Sequence, residues 1–196
     1  MVEYLINSDD SKIFFVRGWL TREDSLSLYS SLATFLLLQK RSGVHTVKIR
    51  GRNIQLPRKV FLYGDKDVTH SFGGTNFPVD LWLSELIPIR DRIHKELGIR
   101  FNSCTVNWYP DGNYFIADHH DSGIKSPQNA IVTVSLGATR TFNVKGYSDF
   151  RTTINTGDVF IMLGRANELW THGIPKEFVH PINNDIGRIS LTFRDL

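Results

Sequence analysis

Short segments rich in valine, isoleucine, phenylalanine and threonine dominate the chain after Gly98. They read FNSCTVNWY, AIVTVSLG, RTFNVKG, DVFIML and GRISLTFR. Turn-forming sequences, such as PDGN at 110–113 and NTGD at 155–158, bound them. Many short strands separated by turns are typical of an antiparallel sandwich or jelly roll. We therefore expect a β-rich core in this part of the chain.

The first half of the chain adds helices to this core. Residues 22–40 carry leucines and a tyrosine at helical spacing, and Thr21 begins a capping pattern just before them. A second helical stretch covers 79–97, is interrupted or restarted at Pro88, and ends at Gly98. The expected fold class is α+β and mostly β, as one domain with N-terminal helices packed outside the sheet.

Basic residues are concentrated in the segment 40–59, which holds seven of the 23 lysines and arginines and no acidic residue. The other 16 basic residues are balanced by 20 acidic ones. Within this segment, 47–55 alternates branched and basic residues around Gly51, which predicts a two-stranded hairpin. A local cationic hairpin suits contact with a polyanion. The alternative is a basic hairpin that is simply solvated.

Other bulk properties indicate a soluble intracellular protein. Its 196 residues are enough for one domain with a substantial core. Cys104 is the single cysteine, which excludes an internal disulfide and favours a reducing compartment. The N-terminus lacks the pattern of a signal peptide, and the apolar run at 35–38 is too short to cross a membrane. We expect a cytoplasmic protein, or a nuclear one if the source is eukaryotic, that is monomeric and has no membrane partner.

The stretch ADHHDSG at 117–123 is a candidate metal site. On a strand, His119 and Asp121 would project to one side while His120 points away. His172 follows another β-rich stretch and could supply a third ligand. Two histidines and one carboxylate on one side of a metal form the arrangement of non-haem Fe(II) oxygenases. The alternative is an ordinary surface His–Asp pair.

The last β-rich segment places Arg188 and Arg194 on one side of a strand, with Ser190 and Thr192 between them. Two guanidinium groups are costly to bury unless they pair with an anion. A dicarboxylate offers two anionic groups that arginine can bind. Upstream, Asn107-x-Tyr109 supplies two more polar side chains on one strand side. The alternative is that both arginines are exposed on an edge strand.

As a set and in this order, these residues resemble the AlkB family of Fe(II)- and 2-oxoglutarate-dependent dioxygenases, which oxidatively demethylate alkylated nucleic-acid bases. The resemblance covers about residue 45 to the end and is closest to the DNA-repair homologues of AlkB. It includes PRKVFLYGD at 57–65, NWYPDG at 107–112, VSLGATRTF at 134–142 and RISLTFR at 188–194.

The resemblance implies a double-stranded β-helix (jelly-roll) core. It also implies Fe(II) as cofactor, 2-oxoglutarate as cosubstrate, and O2. It places iron on His119, Asp121 and His172, and 2-oxoglutarate on Asn107, Tyr109, Arg188, Thr192 and Arg194. Arg188 would pair with the distal carboxylate, and Arg194 would lie near the end that chelates iron. The implied organisation is one AlkB-like domain, 1–196, with a helical extension at 1–45, a nucleic-acid recognition lid at 46–75 and a jelly-roll catalytic core at 99–196.

The implied partner is DNA or RNA carrying alkylated bases such as 1-methyladenine and 3-methylcytosine, which must be flipped out or presented on a single strand. Demethylation would be coupled to decarboxylation of 2-oxoglutarate to succinate. The resemblance places five residues near the substrate: Arg50, Arg58, His70, Phe72 and Ser122. Phe72 would stack on the flipped base, although from its own pattern it could equally belong to the core.

Two departures from the family bear on the substrate. Acidic residues usually follow the His-x-Asp motif in the repair enzymes, whereas Ser122 and Gly123 stand here. The hairpin carries VKIR at 47–50 in place of an apolar or aromatic wedge. Recognition of a cationic lesion is therefore weakened, and single-stranded DNA, RNA or a different lesion stay open.

Two other functions are compatible with the pattern. A 2-oxoglutarate-dependent hydroxylase or demethylase could act on a protein or a small molecule, which the missing acid after Asp121 allows. A binding module with a decayed metal site is the other, and the intact set of ligands and arginines argues against it.

Overall fold

Strands form most of the regular structure in this computed structural model, which describes residues 1–38, 44–49, 51–72, 75–126, 128–177 and 187–196. The strands are β1 Val2–Asn7, β2 Ser11–Val16, β3 Val44–Ile49, β4 Arg52–Gly64, β5 Thr69–Phe72, β6 Thr75–Pro78, β7 Asp80–Leu81, β8 Ser103–Tyr109, β9 Ile116–His119, β10 Ile131–Gly137, β11 Arg140–Lys145, β12 Phe150–Ile154, β13 Val159–Gly164, β14 Thr171–Ile174 and β15 Arg188–Arg194. The helices are α1 Arg22–Leu38, α2 Ile87–Leu97 and α3 Ala166–Leu169.

Two antiparallel sheets build the core. The larger runs in the order β1-β2-β13-β10-β15-β8-β4-β3, with β7 beside β4, and the smaller runs β12-β11-β14-β9. One apolar cluster lies between the sheets and includes Phe15, Phe142 and Phe160. This architecture confirms the expected fold class, a mostly β protein with a jelly-roll core.

Alternation along the central strands separates an apolar side from a polar one. On β15, Ile189, Leu191 and Phe193 join the apolar cluster under the helices, while Arg188 and the residues at every second position after it face the other way. The strands β8 and β10 alternate in the same manner and pair with β15 in register. The polar rows of three neighbouring strands therefore lie side by side.

The two longer helices cover the outer side of the large sheet. From α1, Tyr29, Leu32 and Leu36 pack into the same cluster as β10 and β15, as predicted. Thr21 caps this helix by accepting the Asp24 backbone N–H at 3.1 Å. None of the helices within the described ranges is long and apolar enough to cross a membrane.

The second helix is shorter than predicted. It begins at Ile87, so Pro88 lies in its first turn, where the missing N–H of proline costs nothing. The expected start at 79 is wrong, because Asp80–Leu81 forms a short parallel pairing with β4. The predicted end is confirmed: Gly98 adopts a left-handed conformation, and its N–H bonds to the carbonyl of His94.

The N-terminal stretch is not only helical, which corrects the expectation for 1–45. Strands β1 and β2 form a hairpin, and β2 pairs with β13 along its whole length. In SKIFFV the apolar side chains Ile13 and Phe15 face the inter-sheet cluster, while Phe14 faces the helices. A strand buried on both sides shows no polar alternation, so its sequence pattern could not be told from the start of a helical region.

The predicted hairpin around Gly51 is present as β3 and β4. Gly51 has φ of +79°, a left-handed conformation that favours glycine at the turn. Beyond the hairpin, β4 continues into the large sheet and pairs with β8 from Lys59 to Gly64. A second antiparallel pair, β5–β6, begins within the segment predicted as the lid, 46–75, and ends beyond it at Pro78.

Candidate metal and cosubstrate site

Strand pairing brings the three predicted metal ligands together. His119 at the end of β9 lies directly opposite His172 on β14, and Asp121 follows two residues later. The Nε2 atoms of both histidines are 3.7 Å from carboxylate oxygens of Asp121, His119 from Oδ1 and His172 from Oδ2. One candidate ligand atom from each residue lies within 4.8 Å of the other two. This spacing suits three ligands on one side of a single ion.

Hydrogen bonds orient the ligands. The Nδ1 of His119 lies 2.9 Å from the carbonyl oxygen of Ala117, so Nδ1 carries the proton and Nε2 is free to bind a metal. Asn167 on α3 accepts the backbone N–H of Asp121 at 2.9 Å and donates back to its carbonyl oxygen at 2.9 Å. His120 contacts the carbonyl of Asn167 instead of the cluster, in agreement with its predicted orientation.

Protonation states in the cluster are those that a metal needs. Burial opposes ionisation of Asp121, but the Arg194 guanidinium, with the neighbouring histidines, holds the pKa of the carboxyl well below its usual range. Burial and the nearby His119 lower the pKa of His172 to about 3. The carboxylate is therefore ionised and the His172 imidazole neutral. The buried Oδ2 of Asp121 accepts no hydrogen bond from the described residues, as expected of an atom reserved for a cation.

Arg188 lies at the far end of the polar row on β15. It is 1% exposed, and its Nε donates to the Ser135 hydroxyl at 2.9 Å while the guanidinium lies 5.3 Å from the centre of the Tyr109 ring. Its buried Nη1 has no hydrogen-bond partner among the described residues. Burial lowers the pKa of Arg188 to about 10 in spite of Tyr109. A buried guanidinium with an unused donor is a site for an anion.

Arg194 lies at the other end of the row, next to the triad. Its Nη1 donates to Oδ1 of Asp121 at 2.9 Å, and Nη2 donates to the Thr105 hydroxyl. Its Nε is also buried and lacks a partner within the described part of the chain. At one end of the row, the Arg188 guanidinium keeps an unused donor. At the other end, the Arg194 guanidinium binds the carboxylate of the His–Asp–His cluster.

The other residues predicted to bind 2-oxoglutarate lie between these two arginines. Register pairs Tyr109 with Arg188 and Asn107 with Ser190. Asn107 accepts a hydrogen bond from Arg58 at 2.8 Å. The Thr192 hydroxyl is 3.1 Å from that of Thr133 on β10. Three further buried polar residues belong to this wall and were not predicted, although the same alternation marks them: Thr105, Thr133 and Ser135.

A cavity of about 340 Å³ joins these groups and extends beneath the β3–β4 hairpin. Of the predicted substrate residues, Arg58, His70 and Ser122 line it, together with the apolar Val47 and Ile54 of the hairpin. Phe72 ends β5, but its side chain lies outside the described part of the structure, as does Arg50 altogether. The volume falls in the range of small-molecule sites.

Residues 17–194 match the model of the family described as the 2OG-Fe(II) oxygenase superfamily. The chain belongs to this superfamily. The name of this superfamily specifies Fe(II) as the cofactor and 2-oxoglutarate as the cosubstrate. The residues present fit both: a His–Asp–His cluster suits the ion, and two buried guanidinium groups suit a dicarboxylate. The predicted cofactors are thereby confirmed at the level of the family.

Curated relatives support the AlkB resemblance. The chain is 31% identical over 164 residues to the DNA oxidative demethylase ALKBH2 of Mus musculus, covering 76% of this chain and 66% of the relative. For the Homo sapiens ALKBH2 these values are 30%, 76% and 60%. It is 29% identical to the Rattus norvegicus alpha-ketoglutarate-dependent dioxygenase alkB homolog 3 over 151 residues, covering 70% and 50%. The chain thus spans between half and two thirds of these relatives.

A solved structure supports the fold. The structure of OsALKBH1 superposes with a TM-score of 0.64 at 17% identity, covering 93% of this chain and 97% of that one. At this identity the likeness shows the architecture alone.

Proposed function

We propose that this protein removes alkyl groups oxidatively from the nitrogens of nucleic-acid bases. The observation that carries the proposal is a single cavity that joins the His–Asp–His cluster, two buried arginines and a hairpin from the basic segment. The names of the relatives, DNA oxidative demethylases among them, point to the same reaction. Each alkyl group removed as formaldehyde would consume one O2 and one 2-oxoglutarate, giving succinate and carbon dioxide, with one oxygen atom in formaldehyde and the other in succinate.

The residues take their roles from position. Fe(II) held by His119, Asp121 and His172 would supply the oxidation of the alkyl carbon. Arg188 is placed to hold the distal carboxylate of 2-oxoglutarate through its unused N–H groups. Arg194 lies toward the metal and keeps Asp121 ionised. Asn107, Tyr109 and Thr192 form the wall between the two arginines.

The nucleic acid would approach over the segment 46–75, which we propose as the recognition lid. Arg52 at the hairpin turn is exposed. Basic side chains here would hold phosphates, and the base would enter the cavity from a single strand or by flipping. A substrate without phosphates would gain nothing from this charge. The predicted monomeric state and intracellular location stay predictions.

A panel of oligonucleotides tests the proposal. Purified protein with Fe(II), ascorbate and 2-oxoglutarate should release formaldehyde and succinate in equal amounts from DNA or RNA carrying one N-alkylated base. Single- and double-stranded forms with 1-methyladenine, 3-methylcytosine and 3-methyluracil are compared. His172→Ala should abolish turnover while oligonucleotide affinity changes little. A protein that binds 2-oxoglutarate yet converts none of these substrates would contradict the proposal and favour a protein or small-molecule substrate.

A further inference from the structure

The substrate cavity is strongly cationic. Arg58, Arg188 and Arg194 line it and are buried, and a guanidinium stays protonated in such a site. Among the described lining residues Asp121 is the only carboxylate, and it already pairs with Arg194 at 2.9 Å. Three positive groups against one negative leave an excess of two charges. Fe(II) and the 2-oxoglutarate dianion cancel each other, so the excess persists in the loaded site.

The side of the cavity that follows the metal ligands is neutral. Ser122, directly after Asp121, is exposed at the rim, and its hydroxyl donates to the carbonyl of Ser71 at 3.2 Å. His70 lines the same cavity with 1% exposure. Burial and the nearby Arg194 lower the pKa of His70 to about 3, so its imidazole is uncharged. Neither residue can compensate a positive charge on a bound base.

Hydrogen-bond polarity gives a second, independent argument. A guanidinium has only donors, so Arg58 complements carbonyl oxygens and opposes an amino group. Uracil and thymine methylated at N3 are uncharged and present two carbonyl oxygens. Cytosine methylated at N3 is cationic when protonated and carries an amino group on the same edge. Burying that cation among arginines without a counter-charge is costly.

We propose, building on the function proposed above, that the preferred substrates are uncharged N-alkylated bases with a carbonyl edge, N3-methylated uracil or thymine, over cationic 3-methylcytosine and 1-methyladenine. Two oligonucleotides of identical sequence test this, one with 3-methyldeoxyuridine and the other with 3-methyldeoxycytidine at the same position. Both are methylated at N3 of a pyrimidine, so they differ only at position 4 and in charge.

The measurements are kcat/KM for the wild-type enzyme and the equilibrium affinity of its metal-free form for each oligonucleotide. Both should favour the methyluracil strand by roughly tenfold, the size expected of one ionic contact in a partly exposed site. Ser122→Asp should shift both ratios toward methylcytosine by a similar factor. Ser122→Asn, which adds the same bulk without charge, should keep the wild-type order. Ratios on one preparation cancel differences in iron loading.

Equal or greater preference of the wild-type protein for methylcytosine would overturn the inference, as would an identical effect of Ser122→Asp and Ser122→Asn. Turnover of the cationic base alone would leave the dealkylase function intact and remove only the charge argument. Failure to convert either strand would count against the dealkylase function, and the affinity ratio would still decide the preference.

Discussion

Arg194 donates a hydrogen bond to Oδ1 of Asp121 at a distance of 2.9 Å. This bond joins the polar row on β15 to the His–Asp–His cluster. The other oxygen of this carboxylate lies 3.7 Å from Nε2 of His172. One side of Asp121 therefore faces a permanent cation within the protein, while the other side faces the metal position. Burial alone would raise the pKa of Asp121, so its ionisation depends on the arginine and, to a lesser extent, on the neighbouring histidines.

Replacing Arg194 should make metal binding sensitive to acid. In Arg194→Gln the pKa of Asp121 rises because the largest of the contributions that oppose the effect of burial is lost. The carboxyl becomes protonated as the pH falls through this raised pKa, and the protonated form does not bind the ion. Co(II) affinity, followed by absorption, should therefore fall more steeply with decreasing pH in Arg194→Gln than in wild type. Arg194→Lys keeps the charge and serves as control; parallel pH profiles for Arg194→Gln and wild type would refute the assignment.

Arg188→Met should separate cosubstrate binding from folding. Loss of the guanidinium should weaken 2-oxoglutarate binding by about 100-fold, because a buried charge pair is lost. Stability without 2-oxoglutarate should stay the same or increase, because a buried donor without a partner is removed. Calorimetric titration with Mn(II) bound and urea unfolding measure the two effects. A large loss of stability in the free protein would instead mark Arg188 as structural.

Asn167 is a positioning residue for Asp121. Asn167→Ala removes both hydrogen bonds to the Asp121 backbone and should lower metal affinity by about tenfold, in line with other groups that orient ligands. The affinity of the metal-loaded protein for 2-oxoglutarate should change little, because Arg188 lies at the other end of the row. A loss of 2-oxoglutarate affinity with unchanged metal binding would contradict this role of Asn167.

Charge on the β3–β4 hairpin should act on nucleic acid through phosphates. Arg52→Gln should weaken binding of alkylated and unmodified strands equally and reduce the salt dependence of log Kd by about one unit. Lys12→Gln is the matched control, since β2 lies near the opposite edge of the large sheet and Lys12 is exposed. Fluorescence anisotropy across a salt series measures the slopes. Equal slopes for all three proteins would exclude the hairpin as the binding surface.

Local patterns were sufficient to pick out several residues that the structure brings together in one cavity. The two-residue period from Arg188 to Arg194 depends only on how side chains alternate on a strand. Asp121 lies two residues beyond the end of β9, yet the structure brings it into one cavity with His119 and both arginines. The Gly51 turn and the Gly98 helix end were also predictable from local sequence, because each depends on the conformation of one glycine.

Features that depend on distant partners were not predictable. Strand β2 is held in the large sheet by its pairing with β13, where Val16 lies opposite Val159 and Ser11 opposite Gly164. Asn167 gives no signal in its own sequence, because its role comes from a contact with Asp121 across 46 residues. The start of α2 depended on the pairing of Asp80–Leu81 with β4, which the helical pattern conceals.

The alternation on β15 has a consequence for how this protein can vary. Arg188 and Arg194 share a strand with Ile189, Leu191 and Phe193, and consecutive residues serve opposite compartments. Inserting or deleting one residue midway would turn part of the strand over, moving a guanidinium beneath the helices and an apolar side chain into the cavity. Alternate residues of this one strand therefore serve the cavity and the core, and neither set can shift without the other. Length changes can accumulate only in the loops, and this segment can diverge by substitution alone.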